Sequence, residues 1–525
     1  MNYPTGDQTA TKQYEDMARD RDVYLSRARD AASLTIPMLM PPQGHSSSTV
    51  YDQPYSSVAA RGVNNLASKL LMTLLPPNAP FFRLTIDDFD LQELAGDDAR
   101  GQAEEALARI ERSAAQLIEA KAVRVPAHEA IKQLIVAGNV LTYLPKDGGM
   151  KVFRLDRYVC KRDTMGNLLK VIVKEEVSFE ALPDAVRKTL MDQPDYNNVT
   201  PETEVDLYTC VRREGKKYLV HQEVKGITIP KSEGSYPIAR CPWMALRFIS
   251  VDGENYGRGF VEEYIVDIKS LESLTTAIVE GSAAAAKVLF MVRPNGTTRA
   301  NVLANSPNGA IVTGDANDVS TLQLEKFNDF RVAQETIVQI TERLSAAFLL
   351  NSSITRNAER VTAEEIRYMA QELETALGGI YSTLSQEFQL PLVNILLHLM
   401  QKEGKMPKFP DDAIKPQIVT GLEALGRGQD LSKLSSLLEY LAPLGAEAIQ
   451  QYLNVPDYID RLGASLGIDT QGLIKSEDQL AQEQQAAQEQ QEAAMQQQQM
   501  ADMAKSAAPA VAKGVMDYTG GQQPE

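Results

Sequence analysis

Two helical patterns on either side of a turn-rich insert constrain this chain more than any other feature. Residues 260–291 read FVEEYIVDIKSLESLTTAIVEGSAAAAKVLFM. They place Val261, Tyr264, Ile265, Ile268, Leu271, Leu274 and Ile278 at three- and four-residue spacings, the stripe of one buried helix face. At ~1.5 Å per residue such a helix is expected to run roughly 45 Å. Residues 328–350 repeat the pattern with Phe330, Ala333, Ile337, Ile340, Leu344 and Ala347, a narrow coiled-coil-like seam. The insert carries turn signals at Pro294-Asn295-Gly296, Pro307-Asn308-Gly309 and Gly314-Asp315, with strand-like runs at Ala310–Thr313 and Ser320–Leu324. The spacing therefore predicts a long helix, a small insert and a returning helix. Gly281 to Ala286 adds a flank with almost no side-chain bulk, where another backbone can approach closely.

Directly after the returning helix, residues 351–361 form a polar, Arg-bearing loop with no apolar pattern. Thr362 then opens T-x-x-E with Glu365, a capping box that satisfies free N–H groups at a helix start. Ile366, Met369, Leu373, Leu377, Ile380, Leu384 and Phe388 continue as one apolar face, and Pro391 is expected to kink or break the path.

Upstream, the sequence predicts helices near 13–34, 97–122 and 126–140 and one around ARGVNNLASKLLMTLL within 51–75, with a strand at 81–86. From Leu141 to about Phe248 the period changes to β-rich runs such as KVFRLDRYVCKRD, LLKVIVKEEVSF, EVDLYTCVRRE and KYLVHQEV, an antiparallel sheet subdomain. Downstream, the Pro-rich stretch KMPKFPDDAIKPQ leads into a smaller helical unit. From about Ser476 the composition turns to Gln, Ala and Glu without an apolar stripe, so this tail reads as mobile or transiently helical rather than as a packed helix.

Chemistry-bearing motifs are scarce. There is no phosphate-binding G-x-x-x-x-G-K-[ST] loop and no G-x-S-x-G elbow. Gly257-Arg258-Gly259 and Gly426-Arg427-Gly428 lack the third glycine and the preceding strand of a nucleotide fingerprint. His45, His128, His221 and His398 are scattered without ligand spacing, so neither a metal nor a cofactor is expected, and no enzyme activity. Cys160, Cys210 and Cys241 are widely spaced and odd in number, which fits reduced thiols and assembly in a cytoplasm. The polar N-terminus is no signal peptide, and no apolar run approaches the ~18–20 residues of a membrane span.

The net charge of −17 argues against a protein that wraps DNA or reads its sequence. The charge is uneven, however. From Gly281 to Arg360 there are eight basic and seven acidic residues, and from Lys287 to Thr313 there are three basic residues and no acid. This is either ordinary solvated loop charge or a weakly basic lining that meets phosphates without touching bases.

The blocks ARGVNNLASKL, IKQLIVAGNVLTYLP, DGENYGRGFVEEYIVDIKSLESL, ERVTAEEIRYMAQELE, GGIYSTLSQEFQLPLV and TGLEALGRGQDL, in this order, resemble the head–tail connectors (portal proteins) of short-tailed phages that carry their own RNA polymerase. The resemblance implies an α+β, mainly α, portal fold. Its regions would be a wing with helices and an antiparallel β subdomain (1–259), a first stem helix (260–291), a clip (292–327), a second stem helix (328–350) and a tunnel loop (351–361). A long wing helix (362–405), a crown (406–475) and the Gln/Ala-rich tail (476–525) would follow.

It further implies a homo-oligomeric ring, usually a dodecamer, at one vertex of the virion capsid. Double-stranded DNA would pass through it during packaging and ejection without sequence-specific contacts. The clip would dock the terminase large subunit and later the tail adaptor. Major capsid, scaffolding and internal core proteins would be further partners, with no membrane. Under this reading Lys287, Arg343, Arg356 and Arg360 are channel candidates that face DNA. Arg293, Asn295, Arg299 and Asn308 are clip candidates for partner docking, and Ala284 and Ala285 are ring-packing candidates. A non-viral oligomeric helical scaffold or adaptor is the alternative.

Overall fold

The computed structural model describes residues 9–46, 48–77, 81–85, 98–192, 200–285, 289–322, 327–350, 363–404, 417–420 and 427–445, with isolated positions beyond. Two compact units divide the chain. One comprises residues 1–94 and 107–428, the other residues 95–106 and 429–525.

In the larger unit the first helix, Ala10–Ser33, starts where Thr9 Oγ1 accepts from the amide of Lys12. The amide of Ala10 donates to both carboxylate oxygens of Glu223, each at 3.1 Å, which seats a negative charge at the positive helix end. A second helix, Val58–Leu74, follows an exposed loop and is buried along Val63, Leu66, Ala67, Leu70 and Leu74. The third, Asp98–Ala120, belongs to the larger unit from Leu107 onward, and the fourth is Arg124–Ala137. The fourth stops at Gly138, whose φ of +73° is the left-handed conformation that glycine takes at a helix end.

The β-rich stretch forms two separate sheets rather than one. Strand β1 (Phe82–Thr85) stands outside both. In the smaller sheet β2 (Asn139–Tyr143) lies between β3 (Lys151–Phe153) and β10 (Trp243–Arg247), all antiparallel. The larger is an antiparallel meander of β4 (Tyr158–Arg162), β5 (Leu168–Ser178), β6 (Glu204–Glu214) and β7 (Lys217–Val224). Strands β8 (Ile227–Thr228) and β9 (Gly234–Pro237) pair with opposite ends of β7. Asn139 ties the smaller sheet to the next segment, because its side chain accepts from the amide of Gly257 and donates to the Gly257 carbonyl, both at 2.7 Å.

The region read as one long helix at 260–291 is shorter and divided. A single turn, Phe260–Glu263, is followed by the helix Ile265–Ala285, and Leu289–Val292 is strand β11. The helix is therefore roughly 30 Å long at ~1.5 Å per residue. Strand β11 pairs antiparallel with β12 (Val319–Leu322), and the chain returns along the helix Phe327–Ala347. The expected run Ala310–Thr313 is not a strand, whereas Ser320–Leu322 falls within β12.

The helix read as continuous through Phe388 breaks at Gly378-Gly379, both with positive φ. It resumes as Ile380–Leu384, passes through a π-helical turn at Ser385–Gln389 and continues as Leu390–Lys402. Pro391 lies in the first turn after the π segment, so the helix continues past the proline rather than ending there. Strand β13 (Gln417–Thr420) pairs with β1 across more than three hundred residues, so this part of the region read as a helical crown belongs to the larger unit. The helix Arg427–Leu441 lies in the smaller unit from Gln429 onward, where Tyr458 donates to the Leu434 carbonyl at 3.2 Å.

Candidate functional site

The two long helices form a hairpin whose direction follows from two contacts. Arg343 donates to Asp267 at 2.8 Å near the base, and Phe330 packs against Gly281 near the other end. The helices are therefore antiparallel. Ile268, Leu271, Ile340 and Leu344 are buried at the base. Burial fades along the hairpin until Ser282, Ala283 and Ala284 are exposed.

Gly281 shows how part of the small-residue flank is used. A Cβ there would come within 2.8 Å of the Phe330 ring, so the second helix of the same protomer fills that space. Exposed Ala284 retains the small surface expected of it, while of Ala285 only its place at the helix end is described. At ~100° per residue, the exposed Val332 and Val338 sit roughly 120° apart around their helix, and the exposed Val266 and Val279 roughly 140° apart.

At the root of the hairpin, Phe348 is fully buried among Phe260, 5.3 Å away edge-on, and Tyr264. Its ring presses on the helix Val58–Leu74 at Gly62, where a Cβ would lie 2.6 Å from Phe348 Cγ. A methyl there would gain ~1 kcal/mol of helix propensity, but overpacking against a fully buried ring costs ~1–3 kcal/mol. Close packing therefore accounts for this mid-helix glycine. The next residue, Leu349, holds φ at +53°, and the amide of Leu350 reaches back to Ser345 at 2.8 Å. The free carbonyls of this helix end are met from the side: Asn65 Nδ2 donates to Phe348 and Leu349 at 3.0 and 2.9 Å.

The same helix is gripped at its own end. Tyr381 donates to the Thr73 carbonyl at 3.3 Å, and Gln389, from the π turn, donates to the Leu74 carbonyl at 2.7 Å.

The far end of the hairpin is organised by Asp318. Its carboxylate accepts from the amides of Thr297 and Thr298 at 2.7 and 3.2 Å and from the Thr297 hydroxyl at 3.1 Å. These bonds, led by that from the Thr298 amide, hold its pKa below the ordinary 3.8. A Cβ on Gly296 would collide with this carboxylate at 2.4 Å, and one on Gly314 with Thr298 Oγ1 at 2.4 Å. Arg293, Asn295, Arg299 and Asn308 are all exposed on the framework so built. Phe290, Met291 and Ile311 are exposed beside them.

Of the channel candidates, Arg343 is described: it is half-exposed and its charge is met by Asp267. Lys287, Arg356 and Arg360 lie outside the described residues, as does the cap at Thr362. The glycines of Gly257-Arg258-Gly259 serve backbone packing. A Cβ on Gly257 would meet the Gly138 oxygen at 2.9 Å and one on Gly259 the Val136 oxygen at 2.5 Å. Arg258 pairs with Glu254 and Glu262. The three cysteines are free and buried. Among the described residues no cluster of His, Cys, Asp and Glu could hold a metal, and no helix is long and apolar enough to cross a membrane.

Sequence alone does not show the roles of Asn65, Asp318, Tyr381 and Gln389. Each acts across a long separation with no spacing signal, and only Gly62, a glycine inside a helical pattern, hints at a close approach.

Residues 7–474 match the model of a family described as bacteriophage head to tail connecting protein. The portal protein of Escherichia phage T7 is 42% identical over 475 residues, covering 89% of this chain and 88% of the relative. That of Enterobacteria phage T3 is 41% identical over 479 residues, 90% of this chain and 89% of the relative. That of Enterobacteria phage SP6 is 31% identical over 478 residues, 90% of each. The protruding hairpin, its anchored root and its exposed tip thus sit in a chain that belongs to the bacteriophage head to tail connecting proteins.

Proposed function

We propose that this protein assembles into a ring at one vertex of a phage capsid and serves as the conduit for double-stranded DNA during packaging and ejection. The match over residues 7–474 carries the reading and disfavours a non-viral scaffold. The hairpin supports it. Its exposed valines occupy separate faces of each helix, which suits the two unlike surfaces of a closed head-to-tail ring better than the single patch of a two-fold dimer. Ala284 and Ala285 let neighbouring copies approach closely along the first stem helix. The ring is a dodecamer, a virion component assembled in the host cytoplasm, and its role is structural rather than catalytic.

The tip at Arg293, Asn295, Arg299 and Asn308 docks the terminase large subunit and then the tail adaptor. Exposed apolar side chains on a framework that packs little of the protomer support that role. Capsid, scaffolding and internal core proteins meet other surfaces. Lys287, Arg343, Arg356 and Arg360 face the DNA. Arginine pairs with phosphate in fork geometry, and such contacts carry no sequence preference. In an acidic ring a thin basic band permits sliding, because each clamped phosphate adds to the free energy of every step.

The test converts Arg356 and Arg360 together to Ala. Ring assembly and initial packaging should persist, while particles lose packaged DNA, most visibly at low salt. Full-length genomes retained as well as in wild type would remove these residues from the DNA path.

A further inference from the structure

One helix holds both neighbours of the segment 351–362. Asn65, on the helix Val58–Leu74, donates to the last carbonyls of the second stem helix. One turn further on, Lys69 Nζ donates to Leu349 at 3.3 Å and to Glu372 Oε2 at 3.3 Å. Glu372 lies on the helix Ala363–Leu377, on the other side of the segment. The Lys69 side chain is only 6% exposed. A buried ammonium is tolerated where a charge and hydrogen-bond acceptors surround it, as they do here. Leu349, with φ at +53°, is a leucine in a conformation that persists only when its surroundings impose it. The surroundings are Asn65 and Lys69 at its carbonyl and Phe348 wedged on Gly62.

We propose that Asn65 and Lys69 are positioning residues for the DNA channel. They fix the exit of the stem helix and the entry of the helix Ala363–Leu377 to one rigid element, so the two ends between which Arg356 and Arg360 are strung keep a set separation. The functional half of this proposal rests on the reading that residues 351–360 meet DNA. The mechanical half rests on the described contacts alone.

The experiment uses rings of the full-length chain and hydrogen exchange. Lys69→Met keeps most of the side-chain volume and removes the ammonium. It should raise exchange about tenfold in both 344–350 and 364–373, leaving the helix Ala10–Ser33 unchanged. Asn65→Ala should loosen 344–350 alone. Leu349→Gly in that background should restore protection, since glycine holds a positive φ unaided. Should Lys69→Met fail to form rings, Glu372→Ala removes the acceptor of the same link from its more exposed side and carries the same expectation for 364–373.

Phage particles carrying the Lys69 or Glu372 variant should lose packaged DNA. In the Lys69→Met rings, loosening confined to one segment, or none, overturns the clamp, as does unchanged exchange of 364–373 in the Glu372 variant. Loosening of both with full DNA retention overturns its role in the channel. If the paired Arg356 and Arg360 variant also retains DNA, the channel reading fails, while the exchange result still judges the clamp.

Discussion

Asp318 gives the insert its shape with one carboxylate, accepting from two amides and a hydroxyl some twenty residues upstream. Because the folded pKa is depressed, this anchorage is fully present above the ordinary value of 3.8 and is lost as pH falls through the lower folded value. Asp318→Asn should reduce protection of the Thr297 and Thr298 amides several-fold at neutral pH and flatten its dependence below pH 4, read by amide exchange in solution. Unchanged protection would mean that the turn holds itself. At this scale the sequence was partly legible. The turn signals at Pro294-Asn295-Gly296 and Gly314-Asp315 are visible, since those residue types favour turns locally. Which acid closes them is invisible, because the bond spans the whole insert. The same division holds at Gly257 and Gly259: the missing third glycine argued against nucleotide binding, but the backbone carbonyls they lie against come from far upstream.

The helical elements were read well wherever an amphipathic stripe was long, as in the helices Ala10–Ser33, Val58–Leu74 and Phe327–Ala347. Errors fell where local and long-range signals part. Leu289–Val292 extends an apolar helix pattern but pairs as a strand, an ambiguity that a four-residue apolar run cannot resolve. Strand β13 was missed because its partner lies at the other end of the unit. At Gly378-Gly379 the apolar spacing runs on while both backbones turn left-handed. Replacing the exposed Val332 and Val338 with Asp should change protomer stability by no more than ~0.5 kcal/mol, as for ordinary surface sites. The same pair should cut ring assembly sharply, because each side of the stem would bury an unpaired charge against its neighbour. Light scattering that finds wild-type amounts of ring would place those valines outside the interface.

Over the larger unit the elements follow one another in a simple order. A β-containing body leads into a hairpin with a buried root and an exposed tip, and the chain then re-enters the body through helices that grip the same central helix. The sequence made the helix, the insert and the returning helix legible through their apolar stripes. It could not anticipate the split of the β-rich region into two sheets or the return of residues 417–420 to the larger unit, since strand partners far apart in sequence leave no local mark. The Gln/Ala-rich tail expected to be mobile lies almost wholly outside the described residues.

Under the proposed function this chain closes into a ring around DNA. Electron microscopy of the purified full-length protein tests it most directly. Closed rings with a central hole wide enough for double-stranded DNA are the expected result. Small compact particles, two-fold dimers, or rings too narrow to admit a duplex would contradict it.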